Sequence, residues 1–257
     1  MNHPQSEAPT TAVESIAAID HTEAMELTAA ENAKFAELLG ELSTSQWETP
    51  TECPRWSVKS MVSHVAGSAR SQASIPEFVR QVYSGRKLMD SINGQFWWDG
   101  MNELQVNERE ALSPDQLIEE WSVASAAALK SRTTMPRLVA RLPLLNLPDP
   151  VGRQPIGYLF DMGFTRDVWM HRVDIAFAID EEPSFDAVHD ARIMADIVAE
   201  WGATHGEAFD LTITGPAGGR FTSGIGGTVL ELEPVEFLRT LTGRTQGTGI
   251  LRHPLPL

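Results

Sequence analysis

Apolar residues recur at helical spacing along the chain up to about Gly206. The spacing i, i+3, i+4, i+7 marks one buried face of a helix. The segment 22–42 has this spacing at Phe35, Leu38, Leu39 and Leu42. A second helix is predicted to begin after Ser57, because serine is a favoured N-cap residue, and to continue toward Tyr83. The chain therefore opens with two long amphipathic helices.

The third and fourth helices have sharper sequence signals. Ser113, Pro114 and Gln116 stand where an N-cap, a first helical residue and the second half of a capping box are expected. This third helix is predicted to end near Met135, before a Pro-rich connection. A fourth long helix is predicted over 156–179, where apolar residues cover almost the whole circumference.

The pattern changes after Gly206 from helical spacing to alternation. Alternating apolar residues predict a strand. They are Phe209, Leu211 and Ile213. A further strand is predicted over 228–233, and Pro234 then opens a short helix that Gly243 is placed to cap. We therefore predict a mainly α fold, in which a helical bundle precedes a small α+β domain.

Three segments follow from these patterns. Residues 1–18 are rich in Pro, Ser, Thr and Glu, which predicts a disordered tail. Residues 19–184 hold the bundle. Residues 185–257 hold a linking helix that starts near Asp186, short strands and a short helix, and they form the α+β domain.

Charge and composition exclude several classes of function. The 257 residues include 20 basic and 35 acidic side chains, a formal net charge of −15. Such a surface repels phosphate groups, so we expect no nucleic-acid partner and no binding to anionic membranes. No uncharged apolar run approaches the ~20 residues of a membrane span, and the N-terminus has no secretory signal. The protein is predicted to be cytoplasmic and, from its arginine and alanine content, to come from a GC-rich bacterium.

The fourth helix carries the chemical information. Asp167 and His171 lie one turn apart on a helix that is otherwise apolar nearly all round, so both are expected inside the bundle. Side chains at i and i+4 can bind one ion, and a catalytic zinc takes three protein ligands and one open position. His64 is the best third candidate. Asp174 fits better as an arginine partner or as a group that supports a ligand.

Each of these residues also has a purely structural interpretation. Asp167 and His171 can hydrogen-bond to each other, and His64 can be an ordinary core residue. Cys53 is either a nucleophile or, more in keeping with its lack of a neighbouring base, a structural residue. The aromatic triplet 96–98 either lines a substrate entrance or packs in the core.

Two bundle segments carry a resemblance to a known family. The segment 53–59, CPRWSVK, followed by VSHV at 62–65, resembles the Trp-then-His signature of DinB-like four-helix bundles. The segment 165–175, TRDVWMHRVDI, is similar to the last bundle helix of the mycothiol-dependent maleylpyruvate isomerase family. The tail, closing with FLRTLTGR at 237–244, resembles that family's small sterol-carrier-like C-terminal domain. The resemblance covers most of residues 22–245.

The resemblance implies a set of site residues. The family's metal triad is His, Glu, His, and carrying it over places the metal on His64, Asp167 and His171, with Asp standing where the family has Glu. The family also uses an arginine of the C-terminal domain, and Arg244 is the position that matches it. Arg244 could bind the substrate carboxylate, or it could be an ordinary surface residue near a helix end. The implied cofactors are a divalent metal ion, with zinc the first choice, and mycothiol as the thiol cosubstrate of an actinobacterial enzyme.

The implied reaction is conjugate addition of a thiolate to a small electrophilic cis acid, rotation about the new single bond, and elimination to the trans isomer. A variant that stops after addition or displacement would be an S-transferase. The alternative is a non-enzymatic bundle protein that binds a metal or a small ligand. The chain is expected to act as a monomer or a homodimer.

Overall fold

The structure, a computed structural model, describes residues 10–149 and 151–255. The chain forms two units, which differ in composition of secondary structure. The helical unit consists of 20–145 and 155–183, and the α+β unit consists of 184 onward, 146–154 and the segment that ends at 19. The prediction of a mainly α fold with a small α+β part is confirmed. Within the described ranges, no helix is long and apolar enough to cross a membrane.

Four long helices of the helical unit form a bundle, in which His21–Glu41 and Val58–Ala73 each pack against both Pro114–Thr133 and Phe164–Ala178. The helices of this unit are α1 His21–Glu41, α2 Val58–Ala73, α3 Ile75–Gly85, α4 Met89–Ile92, α5 Trp97–Asn107, α6 Pro114–Thr133, α7 Arg137–Ala140, α8 Ile156–Tyr158 and α9 Phe164–Ala178. The bundle core is apolar and includes the edge-to-face pair Phe35 and Trp121, with ring centroids 4.9 Å apart.

Side-chain caps fix where the long helices begin. Asp20 accepts hydrogen bonds from the first backbone N–H groups of α1, and Ser57 accepts one at the start of α2. Ser113 and Gln116 form the reciprocal capping box, with N···O distances of 3.3 and 2.9 Å. The predicted starts of the second and third helices are therefore confirmed. They could be predicted because a cap depends only on residues a few positions apart in sequence.

The second helix ends earlier than the sequence pattern predicted. It stops at Ala73, and Ser74 takes an extended conformation and caps a new helix, α3. The cause is Pro76, which cannot lie in a helix interior but fits the first turn of a new one. The apolar periodicity continues across this break, so the predicted continuation toward Tyr83 was wrong for a local reason.

The fourth predicted helix contains an irregular turn. Helices α8 and α9 are joined without a loop by a π-helical turn at Leu159–Gly163. A π-turn has one more residue than a regular turn and is frequent at functional sites. The turn therefore sets the rotation of α9 relative to the chain that precedes it.

The α+β unit contains a four-stranded sheet, in which the strands lie in the order Thr10–Ala12, Gly219–Ser223, Phe209–Ile213 and Thr228–Leu232. Its elements and the short strand pair of the connection are β1 Thr10–Ala12, β2 Leu145–Asn146, β3 Arg153–Gln154, α10 His189–His205, β4 Phe209–Ile213, β5 Gly219–Ser223, β6 Thr228–Leu232 and α11 Pro234–Leu241. Strand β4 is antiparallel to β5 and parallel to β6, and its alternate residues are buried as predicted. Trp201 of α10 packs against Phe209, with ring centroids 5.1 Å apart.

The N-terminal segment differs from its prediction. Residues 10–12 form strand β1, which pairs in parallel with β5, and Val13 in the following turn is buried. The predicted disorder is wrong for residues 10–15, and residues 1–9 lie outside the described part. The pairing covers an edge of β5 that would otherwise expose unpaired backbone groups. Local composition does not reveal such a partner because it is some two hundred residues away in sequence.

Helices α3 and α5 cross at two glycines, and this crossing yields a testable pair of variants. A β-carbon at Gly100 would collide with the backbone carbonyl of Gly85, whereas one at Gly40 of α1 would meet no atom within 4 Å. We expect Gly100→Ala to lower the free energy of unfolding by about 1–3 kcal/mol. Gly40→Ala should raise it by about 0.5–1 kcal/mol, because alanine restricts the unfolded chain. Urea unfolding measures both, and equal effects would contradict the close crossing.

Candidate metal centre

Helix α2 places a histidine in the interior of the bundle. His64 is 3% exposed and lies two turns after the Ser57 cap. The ring of Trp56, in the turn just before the helix, lies against it with centroids 5.0 Å apart. The sequence WSVKSMVSH therefore acts as one unit, in which the cap fixes the helix start and the tryptophan covers the histidine.

Helix α9 brings a carboxylate and a second histidine to the same point. The rings of His64 and His171 are perpendicular, with centroids 5.1 Å apart. One carboxylate oxygen of Asp167 lies 3.5 Å from Nε2 of His64, and the other lies 3.5 Å from Nε2 of His171. The structure thus brings together the three residues that the sequence put forward as ligands, within 4.8 Å of one another.

The two separations of 3.5 Å bear on the hydrogen-bond interpretation of this cluster. N–H···O hydrogen bonds in proteins have donor–acceptor distances of roughly 2.7–3.2 Å. Two ligands of a tetrahedral zinc, each about 2.0–2.1 Å from the ion, are about 3.3 Å apart. Each Asp167 oxygen is therefore separated from its neighbouring Nε2 atom by about the distance between two ligands of one ion, and is too far away for a good hydrogen bond.

The other nitrogen of each imidazole is already engaged. Nδ1 of His171 lies 3.0 Å from a carboxylate oxygen of Asp174, and Nδ1 of His64 lies 2.8 Å from Oε1 of Gln105. Histidine ligands of metals almost always donate their second N–H to such an oxygen, which fixes the tautomer and the ring orientation. Both Nε2 atoms are thereby directed at Asp167. Asp174 supports a ring, as one of its two predicted roles required.

The charges of the cluster favour a cation at its centre. Burial opposes ionisation of Asp167, but the flanking imidazoles hold the pKa of its carboxyl well below the usual range. Burial lowers the pKa of His171, and the carboxylates of Asp167 and Asp174 outweigh this and raise it to about 9. The field that retains a proton on His171 is the field that a divalent cation would meet.

Residues 28–176 match the family described as the mycothiol maleylpyruvate isomerase N-terminal domain. The chain belongs to this family. Membership confirms the resemblance seen in the sequence and places the chain among enzymes. The description of the family names an isomerase. A search of curated proteins gives no match.

Two solved structures share the fold of this family member. One is the mycothiol-dependent maleylpyruvate isomerase, with a TM-score of 0.54, and the other is a histidine-to-alanine mutant of it, with a TM-score of 0.53. Both are 16% identical to the chain, and each comparison covers 91% of this chain and 92% of the solved one. At this identity the likeness shows the fold, and it extends over the α+β part as well as the bundle.

Arg244 lies in the α+β unit. It is the residue that the sequence put forward as a possible partner of the substrate carboxylate. It follows Gly243, whose φ of 76° ends α11 in the left-handed region, as predicted for a C-cap glycine. The Arg244 N–H donates to the carbonyl of Arg239 at 2.9 Å, which fixes the backbone at this point. The role of Arg244 stays a prediction. Cys53 packs beside the bundle core, in keeping with a structural role.

Sequence reasoning missed a buried arginine that holds the π-turn before the ligand helix. Arg132 of α6 is 3% exposed and donates to the carbonyl oxygens of Phe160 and Asp161, at 2.6 and 3.0 Å. It also donates to the hydroxyls of Thr28 and Thr165, at 3.0 and 2.8 Å. Burial lowers its pKa to about 10, so the side chain stays charged at neutral pH. One side chain therefore ties α1, α6 and the start of α9 together.

Replacing this arginine tests its role. We expect Arg132→Met to lower the free energy of unfolding by about 2–4 kcal/mol, because the buried carbonyl groups of the π-turn lose their donor. Arg137→Met, at an exposed arginine of the same unit, should change it by less than about 0.5 kcal/mol. Chemical denaturation followed by circular dichroism gives both values. Equal stability of the two variants would show that the π-turn does not need Arg132.

Proposed function

We propose that the chain is a metal-dependent, mycothiol-dependent isomerase of small electrophilic acids. The observation that carries the proposal is the convergence of His64, Asp167 and His171 at ligand spacing, with both Nδ1 atoms engaged elsewhere. Family membership supplies the thiol and the reaction class. The metal and the mechanism go beyond what family membership establishes.

The donor set fits a divalent ion with borderline-soft character. Nε2 of His64, Nε2 of His171 and the Asp167 carboxylate would hold it, which leaves an open fourth position as in catalytic zinc sites. A bound ion of this kind would hold the thiol of mycothiol as a thiolate at neutral pH. Aspartate in place of the family's glutamate is compatible with this role, since one of its oxygens lies 3.5 Å from Nε2 of His64 and the other lies 3.5 Å from Nε2 of His171.

The chain's own residues set up the surroundings of the reaction. The side chains of His64 and His171 are 4% and 10% exposed, whereas that of Asp167 is 26% exposed. The Asp167 side chain is therefore the most accessible of the three, and a thiol and a substrate would approach from this side. Trp56 packs against the ring of His64 and shields that ring from water.

The cosubstrate supplies reversible conjugate addition, which turns a cis double bond into a single bond that rotates before elimination restores it as trans. The chain must bind the acid so that its alkene carbon meets the sulfur. A guanidinium group suits a carboxylate because it donates two parallel hydrogen bonds. We assign this task to Arg244. Addition without elimination would make the chain an S-transferase.

Metal analysis tests the site directly. We expect the purified full-length chain, supplied with zinc, to hold about one ion per chain, and His171→Ala to hold much less, since one ligand is lost. Elemental analysis after removal of free zinc measures this. The control is His21→Ala, because His21 also contacts an aspartate, Asp161, at 2.7 Å but lies outside the cluster.

The expected outcome is a full metal content in the His21 variant and a loss in the His171 variant. A wild-type chain that takes up no zinc would refute the metal-dependent mechanism. In that case a bundle that binds a small ligand without catalysis becomes the better interpretation.

Arg244 is tested by kinetics rather than by metal content. We expect Arg244→Ala to raise the KM for a maleyl-type acid by about ten- to a hundredfold, because the carboxylate loses a charged partner, with zinc content and mycothiol binding unchanged. Arg252→Ala provides the control, since Arg252 is an exposed arginine of the same unit that pairs with Glu207. Product analysis separates the trans acid from a stable thiol adduct. An unchanged KM in Arg244→Ala would refute the assignment.

A further inference from the structure

Behind His64, a chain of hydrogen bonds leads away from the metal centre through two buried glutamines. Oε1 of Gln105, on α5, lies 2.8 Å from Nδ1 of His64. Nε2 of Gln105 donates to Oε1 of Gln81, on α3, at 2.8 Å. Both glutamine side chains are fully buried, at 0% exposure. Buried amides of this kind are retained only where each polar group has a partner, so the chain of bonds constrains all its members.

The outer end of this chain accepts hydrogen bonds but cannot donate them. Nε2 of Gln81 donates to the backbone carbonyl of Gly67 at 3.1 Å and to the carboxylate of Glu77 at 2.9 Å. A hydrogen bond from Arg80 is the main cause that lowers the pKa of Glu77, to about 2, so this carboxyl is ionised at neutral pH. An ionised carboxylate and a carbonyl are acceptors only.

These acceptors determine the direction of every bond in the chain. The Gln81 amide nitrogen must face Glu77 and the Gly67 carbonyl, which leaves its oxygen facing Gln105. The Gln105 nitrogen must then donate to that oxygen, which leaves its own oxygen facing the histidine. A carbonyl oxygen can only accept, so Nδ1 of His64 has to carry the proton. Nε2 is thereby left with its lone pair.

The packing of α2 against α5 makes the inner contact possible. A β-carbon on Gly67 would lie 2.6 Å from Cβ of Gln105, which is closer than atoms can approach. Glycine at this position, one turn after His64, therefore lets Gln105 come within reach of the imidazole. The same glycine provides the carbonyl that accepts from Gln81. The sequence of α2 thus prepares both ends of the chain of bonds.

We infer that Gln105, oriented by Gln81 and Glu77, is a positioning residue that sets the tautomer of His64 and so presents its Nε2 lone pair to the metal. The inference rests on the proposed metal site for its purpose. It concerns residues that neither touch the metal ligands' donor atoms nor carry any catalytic group. Supporting groups of this type typically change metal affinity ten- to a hundredfold.

The tautomer of the wild-type chain is the first test. Histidine ring nitrogens report their protonation through ¹⁵N chemical shifts, and the signal of His64 is assigned by its absence in His64→Gln. In the full-length, zinc-depleted chain, at a pH where the ring carries a single proton, we expect that proton on Nδ1. A single proton on Nε2 would overturn the inference, whether or not the chain binds zinc.

Two variants of Gln105 separate positioning from simple stability. Gln105→Met removes the acceptor, so the proton should move to Nε2, beside Asp167, and zinc affinity should fall about ten- to a hundredfold. Gln105→Glu keeps an acceptor for Nδ1 but loses the bond to Gln81, so it should retain the tautomer and bind zinc within a few-fold of wild type. Both should lower the urea midpoint, since Gln105→Met loses two buried hydrogen bonds and Gln105→Glu loses one.

The control lies at the outer edge of the same network. Arg80 bridges Glu77 and Glu108, and Glu108→Gln alters this bridge without touching the amide chain. We expect its tautomer and zinc affinity to equal those of wild type. Zinc affinity that follows the urea midpoint in all three variants, rather than the acceptor at Nδ1, would overturn the inference. A wild-type chain that binds no zinc refutes the proposed function instead, and the tautomer still decides the positioning role.

Discussion

The structure depends on one constraint, which is that polar groups inside the bundle must find partners. Burying an unpartnered imidazole or carboxylate costs several kcal/mol, so the interior of α2 and α9 is organised around His64, Asp167 and His171. Each imidazole uses one nitrogen for a supporting oxygen and directs the other at the same carboxylate. The proposed metal would add a cation beside this carboxylate, and the proposed chemistry follows from it.

Two buried hydrogen-bond networks hold the helices that carry the cluster, one ending in acceptor groups and the other in donor groups. On the α2 side, acceptors at the outer end make the glutamine amides donate outward, which leaves an oxygen for His64. On the α9 side, Arg132 brings donors to the carbonyl oxygens of the π-turn. The first network orients His64, and the second holds the start of the helix that carries Asp167 and His171. Neither network belongs to the apolar core of the bundle, yet both fix the positions of side chains inside it.

The sequence predicted those parts of the molecule that depend on neighbouring residues. The capped helix starts at Ser57 and Ser113, the alternating strand β4 and the pairing of Asp167 with His171 all follow from spacings of two to four residues. His64 was a candidate by its place on α2 and by resemblance. Gln105 and Arg132 could not be predicted, because an ordinary amide and an ordinary arginine acquire their roles from partners on other helices. Strand β1 escaped prediction for the same reason.

The aspartate at position 167 makes the helix rotation matter more than a glutamate would. A glutamate side chain has one more torsion with which to bring its carboxylate to a fixed point. The position of an aspartate carboxylate therefore depends more strongly on the position of its backbone. The backbone of α9 leaves the π-turn at Leu159–Gly163, and that turn is held by Arg132. In the proposed site, the shorter side chain of Asp167 thus relies on a buried arginine that fixes the start of the helix that carries it.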